Sequence, residues 1–516
     1  MSLRRNIILI RPSYSGVYTY YADTRLQDRQ INPPLGLLYL ASYLRQEGGY
    51  DVCLLDAEAW LLSPERVAER VQDMDAALVG ITATTAEIIE AGTIAVLCKR
   101  CMPGVPVIIG GSHASALPRE TLEEFPAFDI VVCGEGERAL KEIADSVIAK
   151  KKKPSQIEGI WYRSEDGSIV STGAGAVQDF DALPMPAWDL VDMHRYLYPM
   201  GRSGMQRSAM VQTVRGCPYR CIFCFQESAR KVRFRSPEKI LEEIRYLKEK
   251  KGVECINFVD DTFMTNTKHL TELLTGLIAS RMNIRFKCMT RADTVSKELI
   301  ELAREAGCVR LSMGVESGNE EILRRVNKGT TKEMYRRAYR IINECGIECR
   351  GSFILGLPHE TLETMADTIA FSRELDLYHA AFNIATPYPG TGLFACAEQR
   401  DGYRFLSEGW SWSEFRRWGN AVAAPVGFSK EDMLALQRFA HAEFYSQPKI
   451  IAYYLDLMKT LEGSYFYFRP FIDGLRSYCD LMRGSDPLYA RLKKRLCGLA
   501  GDNERYEDAK SQYLHA

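Results

Sequence analysis

Short apolar strands alternate with helical stretches in two long runs, and a chain patterned this way has few folds open to it. In the first run the strands are read at Asn6–Ile10, Val52–Leu55, Ala77–Thr82, Val107–Gly110 and Ile130–Cys133. Apolar residues at helical spacing lie between them, as in Leu35–Gln46 and the stretch from Pro64. Apolar strands separated by helices predict a parallel sheet covered on both faces. Five strands of this length suit the flavodoxin-like doubly wound α/β fold, whose ligands sit at the carboxyl ends of the strands where chain order switches. The run ends at a basic break, Lys150-Lys151-Lys152-Lys153-Pro154. The second run has strands at Ala209–Thr213, Cys255–Val259, Arg285–Met289, Val309–Met313, Glu348–Ile354 and Ala380–Ile384. At 516 residues the chain has room for about three domains of ~150 residues each.

The loop after the first strand of the second run carries Cys217-Pro-Tyr-Arg-Cys221-Ile-Phe-Cys224, a C-x3-C-x2-C spacing. A cubic four-iron four-sulfur cluster takes one thiolate per iron, so three cysteines leave one iron open to a small molecule. A zinc site would want a fourth Cys or His at pair spacing, and the nearest other cysteine, Cys255, falls on a predicted strand. The chain has fifteen cysteines and begins Met-Ser-Leu-Arg-Arg without a small-residue cleavage site. Reduced thiols and a cytoplasmic location are expected, and an oxygen-sensitive cluster suits an anaerobic setting. Cys288, Cys308, Cys345 and Cys349 lie on or near predicted elements and read as small buried hydrophobes. A net charge of −1 and a pI near 6.7 give no electrostatic case for nucleic acid. No apolar run reaches the ~18 residues of a membrane span; peripheral membrane contact stays open.

The cysteine spacing, with Phe223 just before the third cysteine, resembles the signature of the radical S-adenosylmethionine enzymes. That resemblance implies that the open iron chelates S-adenosylmethionine and that one electron cleaves it to a 5′-deoxyadenosyl radical. Six strand–helix units fit that family's partial (β/α)6 barrel, with chemistry at the carboxyl ends of the strands. The strand ends carry Asp260-Asp261-Thr262-Phe263, Thr290-Arg291-Ala292-Asp293, Gly314-Val315-Glu316-Ser317-Gly318, Asn327-Lys328-Gly329, Leu355-Gly356-Leu357-Pro358 and Thr386-Pro387-Tyr388-Pro389-Gly390-Thr391. These are similar to the branch that includes hopanoid methylases and the anaerobic magnesium-protoporphyrin monomethyl ester cyclase. By that likeness Glu316 and Ser317 contact the ribose or methionine part of S-adenosylmethionine, and Phe223 packs near its adenine. Arg291 is a candidate for the carboxylate, because a guanidinium fork suits that group. Asp260 and Asp261 are candidate catalytic residues, bonding cosubstrate or substrate. The bland alternatives are solvent-facing charges and helix caps.

The first run also has loops suited to a large polar ligand. Thr82, Thr84 and Thr85 follow its third strand, Gly110, Gly111, Ser112 and His113 its fourth, and Gly134 and Glu135 its fifth. Glycines allow close approach and hydroxyls supply hydrogen bonds. Ahead of a radical-cluster motif, and with Asn32-Pro33-Pro34-Leu35-Gly36-Leu37 entering the first helix, they resemble a cobalamin-binding domain. One departure is clear. Where many such domains carry Asp-x-His-x-x-Gly, this chain has Asp56-Ala57-Glu58-Ala59-Trp60-Leu61, so Glu58 replaces the histidine that ligates cobalt. Cobalamin without a histidine lower ligand is expected, and His113 reads as a hydrogen-bonding or packing residue.

The domain organisation expected is a cobalamin domain at 1–148, a linker with a hairpin (Gly159–Arg163 and Ser168–Ser171) at 149–205, the barrel at 206–395, and a mostly helical domain at 396–516. In the last, helices are read from Lys430 to Tyr445, capped by Ser429, and from Pro448. Aromatic stretches at Gly409–Trp418 and Tyr465–Phe471 read as core packing, or as an apolar wall over a large substrate or a membrane-facing surface. The resemblance implies a C-methyltransferase: hydrogen abstraction from an unreactive carbon, then methyl delivery from methylcobalamin. A radical cyclase using the same cofactors is the alternative, and a cobalamin or redox sensor the reading from another class. A small-molecule or lipid-like substrate and an electron donor such as flavodoxin or ferredoxin are the expected partners.

Overall fold

The structure, a computed structural model, describes residues 6–13, 32–199, 204–225 and 231–459. The first sheet contains β1 (Asn6–Arg11), β2 (Asp51–Asp56), β3 (Leu78–Thr82), β4 (Val107–Gly110), β5 (Ile130–Val132), β6 (Ile160–Arg163) and β7 (Ile169–Ser171). Its order is β2-β1-β3-β4-β5-β6-β7, with β1 to β5 parallel. The first five follow the expected flavodoxin-like order, and the switch in direction falls between β1 and β3. Ile7, Ile8, Leu9 and Ile10 are all buried because helices cover both faces. The hairpin read as linker does something more specific. β6 pairs antiparallel with β5, so β6 and β7 extend this sheet.

The second sheet is built from β8 (Leu197–Pro199) and β9 (Met205–Val211). After the short antiparallel pair β10 (Val214–Arg215) and β11 (Arg233–Phe234) come β12 (Cys255–Phe258), β13 (Arg285–Thr290), β14 (Cys308–Glu316), β15 (Glu348–Leu355) and β16 (His379–Ile384). The order β16-β15-β14-β13-β12-β9-β8 is an open half-barrel of six parallel strands with β8 antiparallel at one edge. Most strand ends lie within one residue of expectation, but β9 and β14 differ by more, with β9 beginning at Met205. β9 ends at Val211 because Thr213 leaves the ladder to bond Asp260. β14 runs on to Glu316 after register shifts at Phe286/Lys287 and Gly314/Glu316.

β17 (Tyr403–Phe405) and β18 (Ala423–Pro425) form a small antiparallel pair before the last described helices, Lys430–Tyr445 and Pro448–Leu457. Ser429 caps the first of these by accepting from the Asp432 amide, while the Asp432 carboxylate accepts from the Ser429 amide. Such a reciprocal cap contributes about 1 kcal/mol. Trp412 and Phe415 are buried in the core of the first sheet, so the aromatic run at 409–418 ties the chain's later part to its beginning. The other aromatic stretch, Tyr465–Phe471, lies outside the described residues.

Candidate active site

The cysteine loop is held from its base upward. Asp260, at the end of β12, accepts from the amides of Thr213 (2.6 Å) and Val214 (2.8 Å) and from the Thr213 hydroxyl (2.9 Å). The β10–β11 pair then closes the neck of the loop. Gly216 takes φ +94, and a Cβ there would lie 2.8 Å from the Lys231 carbonyl, so only glycine fits before Cys217. Asp261 accepts from the Gly216 amide. Farther along, Tyr219 lies under the Arg291 guanidinium, 3.5 Å from it. The Ile222 amide donates to Val326 O (3.1 Å), and Ile222 O accepts from Leu393 N (2.9 Å). Cys224 turns back so that its amide donates to Cys221 O (3.1 Å).

Cys217 is half-buried, Cys221 buried and Cys224 exposed. The hydrogen bond from the Cys224 thiol, then the charges of Lys328 and Arg291, draw the Cys221 thiol below its ordinary range; Cys224, as the donor, is pushed up. Burial pushes the Cys217 thiol up as well, so Cys221 alone is drawn toward the thiolate form that binds iron. Among the described residues no three His, Cys, Asp or Glu side chains converge on one metal ion. A cubane does not require that, since each thiolate meets a different iron.

The strand-end residues divide into two groups. Glu316 adopts φ +67, uncommon for a residue with a side chain, and accepts from Lys328 Nζ (2.8 Å) with both groups buried. A Cβ at Gly314 would strike the Glu316 carboxylate, so that glycine makes the pair's space. Lys328 Nζ lies 5.7 Å from the ring of half-buried Phe223. Sequence reading placed Lys328 in a motif without giving it a role. The other group is engaged within the protein. Arg291 forks onto Asp293 (3.0 and 3.2 Å) and donates to Lys328 O (2.7 Å), so its carboxylate partner is supplied internally. The Ser317 hydroxyl is fully buried, 3.1 Å from Thr368 Oγ1, and accepts from the Asn319 amide (3.2 Å). Asp260 is committed to Thr213 and Val214. Burial outweighs these three hydrogen bonds and lifts its carboxyl to about 7.

At the carboxyl edge of the first sheet, the loops after β3 and β4 are joined by Ala83 N to Gly110 O (3.1 Å) and His113 N to Ala83 O (3.4 Å). Thr82, Gly110, Gly111, Ser112 and Gly134 are half-buried along this edge, and a Cβ at Gly134 would meet nothing within 4 Å. Thr84 is exposed and starts a capping box with Glu87. Thr85 and His113 sit below the surface, 3.4 Å apart, with His113 edge-on to Trp412. Burial holds the His113 imidazole down to about 4. Glu58 is buried and accepts from Ser13 Oγ (3.2 Å). His113 is the lone histidine of the first 148 residues. The open glycine- and hydroxyl-lined edge therefore fits a cobalamin held without an imidazole below the cobalt.

Glu135, on the loop after β5, is tied into an ion-pair network. Its carboxylate is gripped by Arg233 (2.9 Å) and approached by Arg215 (3.6 Å), while Glu137 accepts from Arg215 (2.8 Å). Arg215 and Arg233 are the paired residues at the neck of the cysteine loop. Arg215 also stacks on Phe180 (4.5 Å) and Tyr39 (5.1 Å), and the Tyr39 hydroxyl accepts from Arg235, which pairs with buried Glu243 (2.5 Å). The edge of the first sheet and the neck of the cysteine loop thus share one ion-pair network. Sequence reading missed it because its partners are separated by 78 and 98 residues.

Comparison with known proteins agrees with this architecture. The Radical SAM superfamily matches residues 211–372, and the B12 binding domain matches residues 26–144. An uncharacterized methyltransferase of Pyrococcus horikoshii is 32% identical over 457 residues, covering 87% of this chain and 94% of that protein. The anaerobic magnesium-protoporphyrin IX monomethyl ester cyclase of Rubrivivax gelatinosus is 31% identical over 369 residues, 70% of this chain and 66% of the cyclase. The solved structure of the cobalamin-dependent S-adenosylmethionine radical enzyme OxsB, with aqua-cobalamin and S-adenosylmethionine bound, shares the fold at TM-score 0.72 and 18% identity, over 96% of this chain and 75% of that one. The chain belongs to the cobalamin-dependent radical S-adenosylmethionine enzymes. Its cofactors are a four-iron four-sulfur cluster, S-adenosylmethionine and cobalamin.

Proposed function

We propose that this enzyme is a C-methyltransferase acting on an unactivated carbon. The observation that carries the reading is the shared ion-pair network, which sets the cysteine loop against the cobalamin edge so that both cofactors face one substrate. The methyltransferase named among the relatives supports the same outcome. Bound together, the three cofactors supply an adenosyl radical for hydrogen abstraction and a cobalt-borne methyl group. Cys217, Cys221 and Cys224 each hold one iron, and Lys328 with Arg291 stabilises the negative charge of that loop. Phe223 packs against adenine, and Glu316 with Lys328 meets the ribose or methionine part of S-adenosylmethionine. Asp260, Asp261, Arg291 and Ser317 act as positioning residues that fix the loops carrying these contacts. Thr82, Thr84, Gly110, Gly111, Ser112 and Gly134 hold the cobalamin nucleotide tail.

The enzyme works in the cytoplasm on a small molecule and takes electrons from a flavodoxin- or ferredoxin-like donor. Among the described residues no helix is long and apolar enough to cross a membrane. Anaerobic reconstitution with iron, sulfide and cobalamin tests the proposal. Reduced protein should form 5′-deoxyadenosine and S-adenosylhomocysteine, and a substrate from cell extract should gain one methylene unit. The likeness to the cyclase favours a second reading, in which the product loses hydrogen instead. Absence of 5′-deoxyadenosine would leave a sensor with a structural cluster.

A further inference from the structure

The half-barrel's two faces differ in a way that bears on the substrate. On the convex face Phe286, Leu311, Met313, Cys349 and Phe353 are buried under helices. On the concave face every second residue of β15 (Glu348, Arg350, Ser352 and Ile354) is only partly buried, and Met289 of β13 is 54% exposed. The concave face is therefore packed less fully than the convex one. Its floor, at the amino ends of the strands, is cationic. Register places Lys287 beside Arg310, Arg310 beside Glu348, and Arg350 beside Ser312 and His379. Three cations thus share the floor with one carboxylate.

That carboxylate is already taken. Glu348 accepts from Arg310 (2.9 and 3.1 Å) and from Tyr453 of the last described helix (2.8 Å). Lys287 Nζ lies 2.9 Å from the centroid of the Tyr198 ring and is hydrogen-bonded to that side chain, a neutral phenol that leaves the ammonium's charge uncompensated. The Arg350 guanidinium has neither an ion pair nor a hydrogen bond among the described residues. Ser208, on the concave side of β9 and aligned with Cys255, has a buried hydroxyl with no partner. The same charges act on their neighbours. Burial raises the Tyr198 phenol, yet Lys287, Arg350 and Arg310 together draw it down to about 8. Lys287 is held down to about 8 by burial, with Arg310 adding to the effect.

We infer that this floor binds an oxyanion of the substrate, a phosphate or carboxylate group, through the Arg350 fork and the Lys287 ammonium. Arg350 lies two strands from Lys287 and two residues farther along, and both act on Tyr198; a guanidinium and an ammonium set apart in this way can grip an oxyanion from two sides. Arg350 stands five residues before the carboxyl end of β15, roughly 17 Å of strand. The substrate is therefore an extended anion, anchored at one end and attacked near the other. This deepens the methyltransferase reading and rests on it.

The test is titration of the full-length, cluster-loaded protein with pyrophosphate and, separately, glutarate at low ionic strength, following heat release and thermal midpoint. At least one probe should bind the wild type, and Arg350→Met should weaken it tenfold or more. Arg350→Lys should give an intermediate loss, and Lys250→Met, on an exposed helix end, none. Without probe, Arg350→Met should melt at or above the wild-type midpoint, because it removes repulsion and no bond. The stronger probe names the anion as phosphate or carboxylate. Equal binding by wild type and Arg350→Met, no binding of either probe, or a lowered midpoint without probe would each overturn the inference. Formation of 5′-deoxyadenosine by the wild type and by Arg350→Met is measured alongside. Its absence in both counts against the radical reading, whereas its presence with unchanged anion binding counts against the floor site alone.

Discussion

Asp260 offers the sharpest separation between catalytic and positioning roles. Its Oδ1 accepts two backbone amides, Thr213 and Val214, and its Oδ2 accepts the Thr213 hydroxyl. Asparagine can keep all three contacts: its oxygen serves both amides, and its NH2 donates to the hydroxyl oxygen. Asp260→Asn should therefore load a normal cluster and form 5′-deoxyadenosine at a rate within a few-fold of wild type. Alanine abandons two buried amides, at about 1–3 kcal/mol each, directly below Cys217. Asp260→Ala should lose most of its iron and its visible charge-transfer absorbance. The two also differ with pH. Burial lifts the Asp260 carboxyl to about 7 in the folded protein. Since this lies above the unfolded value, the stability it contributes is fully present below about pH 4 and is lost as pH rises toward 7. A gap of about three pH units corresponds to an upper figure of about 4 kcal/mol. Denaturant unfolding at pH 5 and pH 8 should show about two-thirds of this loss in wild type and none of it in Asp260→Asn. Asp260→Asn with a full cluster and no S-adenosylmethionine cleavage would refute the reasoning and make the carboxylate catalytic.

Gly216→Ala should cost about 1–3 kcal/mol of backbone strain and lower iron content, since φ is +94 and Lys231 O blocks the methyl group. Lys328→Met leaves buried Glu316 unpaired and should cost about 3–5 kcal/mol. Adding Glu316→Gln should recover part of that in denaturant unfolding, so the two effects will not add. Arg215→Met should keep cluster loading but raise the ratio of 5′-deoxyadenosine to methylated product, because the cobalamin edge is no longer held to the loop. The folded His113 imidazole titrates near 4, below its unfolded value of about 6.5. Its contribution is present above pH 6.5 and is lost as pH falls toward 4, so His113→Gln should flatten the thermal midpoint over that range.

Strands with an unbroken apolar run, such as Ile7–Ile10 of β1, were legible in sequence because they are buried on both faces. The cysteine loop was legible because its ligands are local. What stayed hidden depends on distant partners. Glu135 looked like part of a glycine-rich ligand loop; Arg233, 98 residues on, claims its carboxylate. Arg291 is the exception: it looked like an open fork, and its partner Asp293 is local, but a two-residue spacing does not reveal which way either side chain turns. The cationic floor was hidden for another reason. Lys287, Arg310 and Arg350 read as ordinary interruptions of three separate strands until strand register brings them together.

The central claim is that one iron of the cluster lacks a protein sulfur and is open to S-adenosylmethionine. Mössbauer spectra of the reconstituted protein, recorded with and without S-adenosylmethionine, test it most directly. One iron subsite should shift when the cosubstrate is added while the other three stay unchanged. Four subsites that remain alike, or metal analysis that finds zinc in place of iron, would contradict the account.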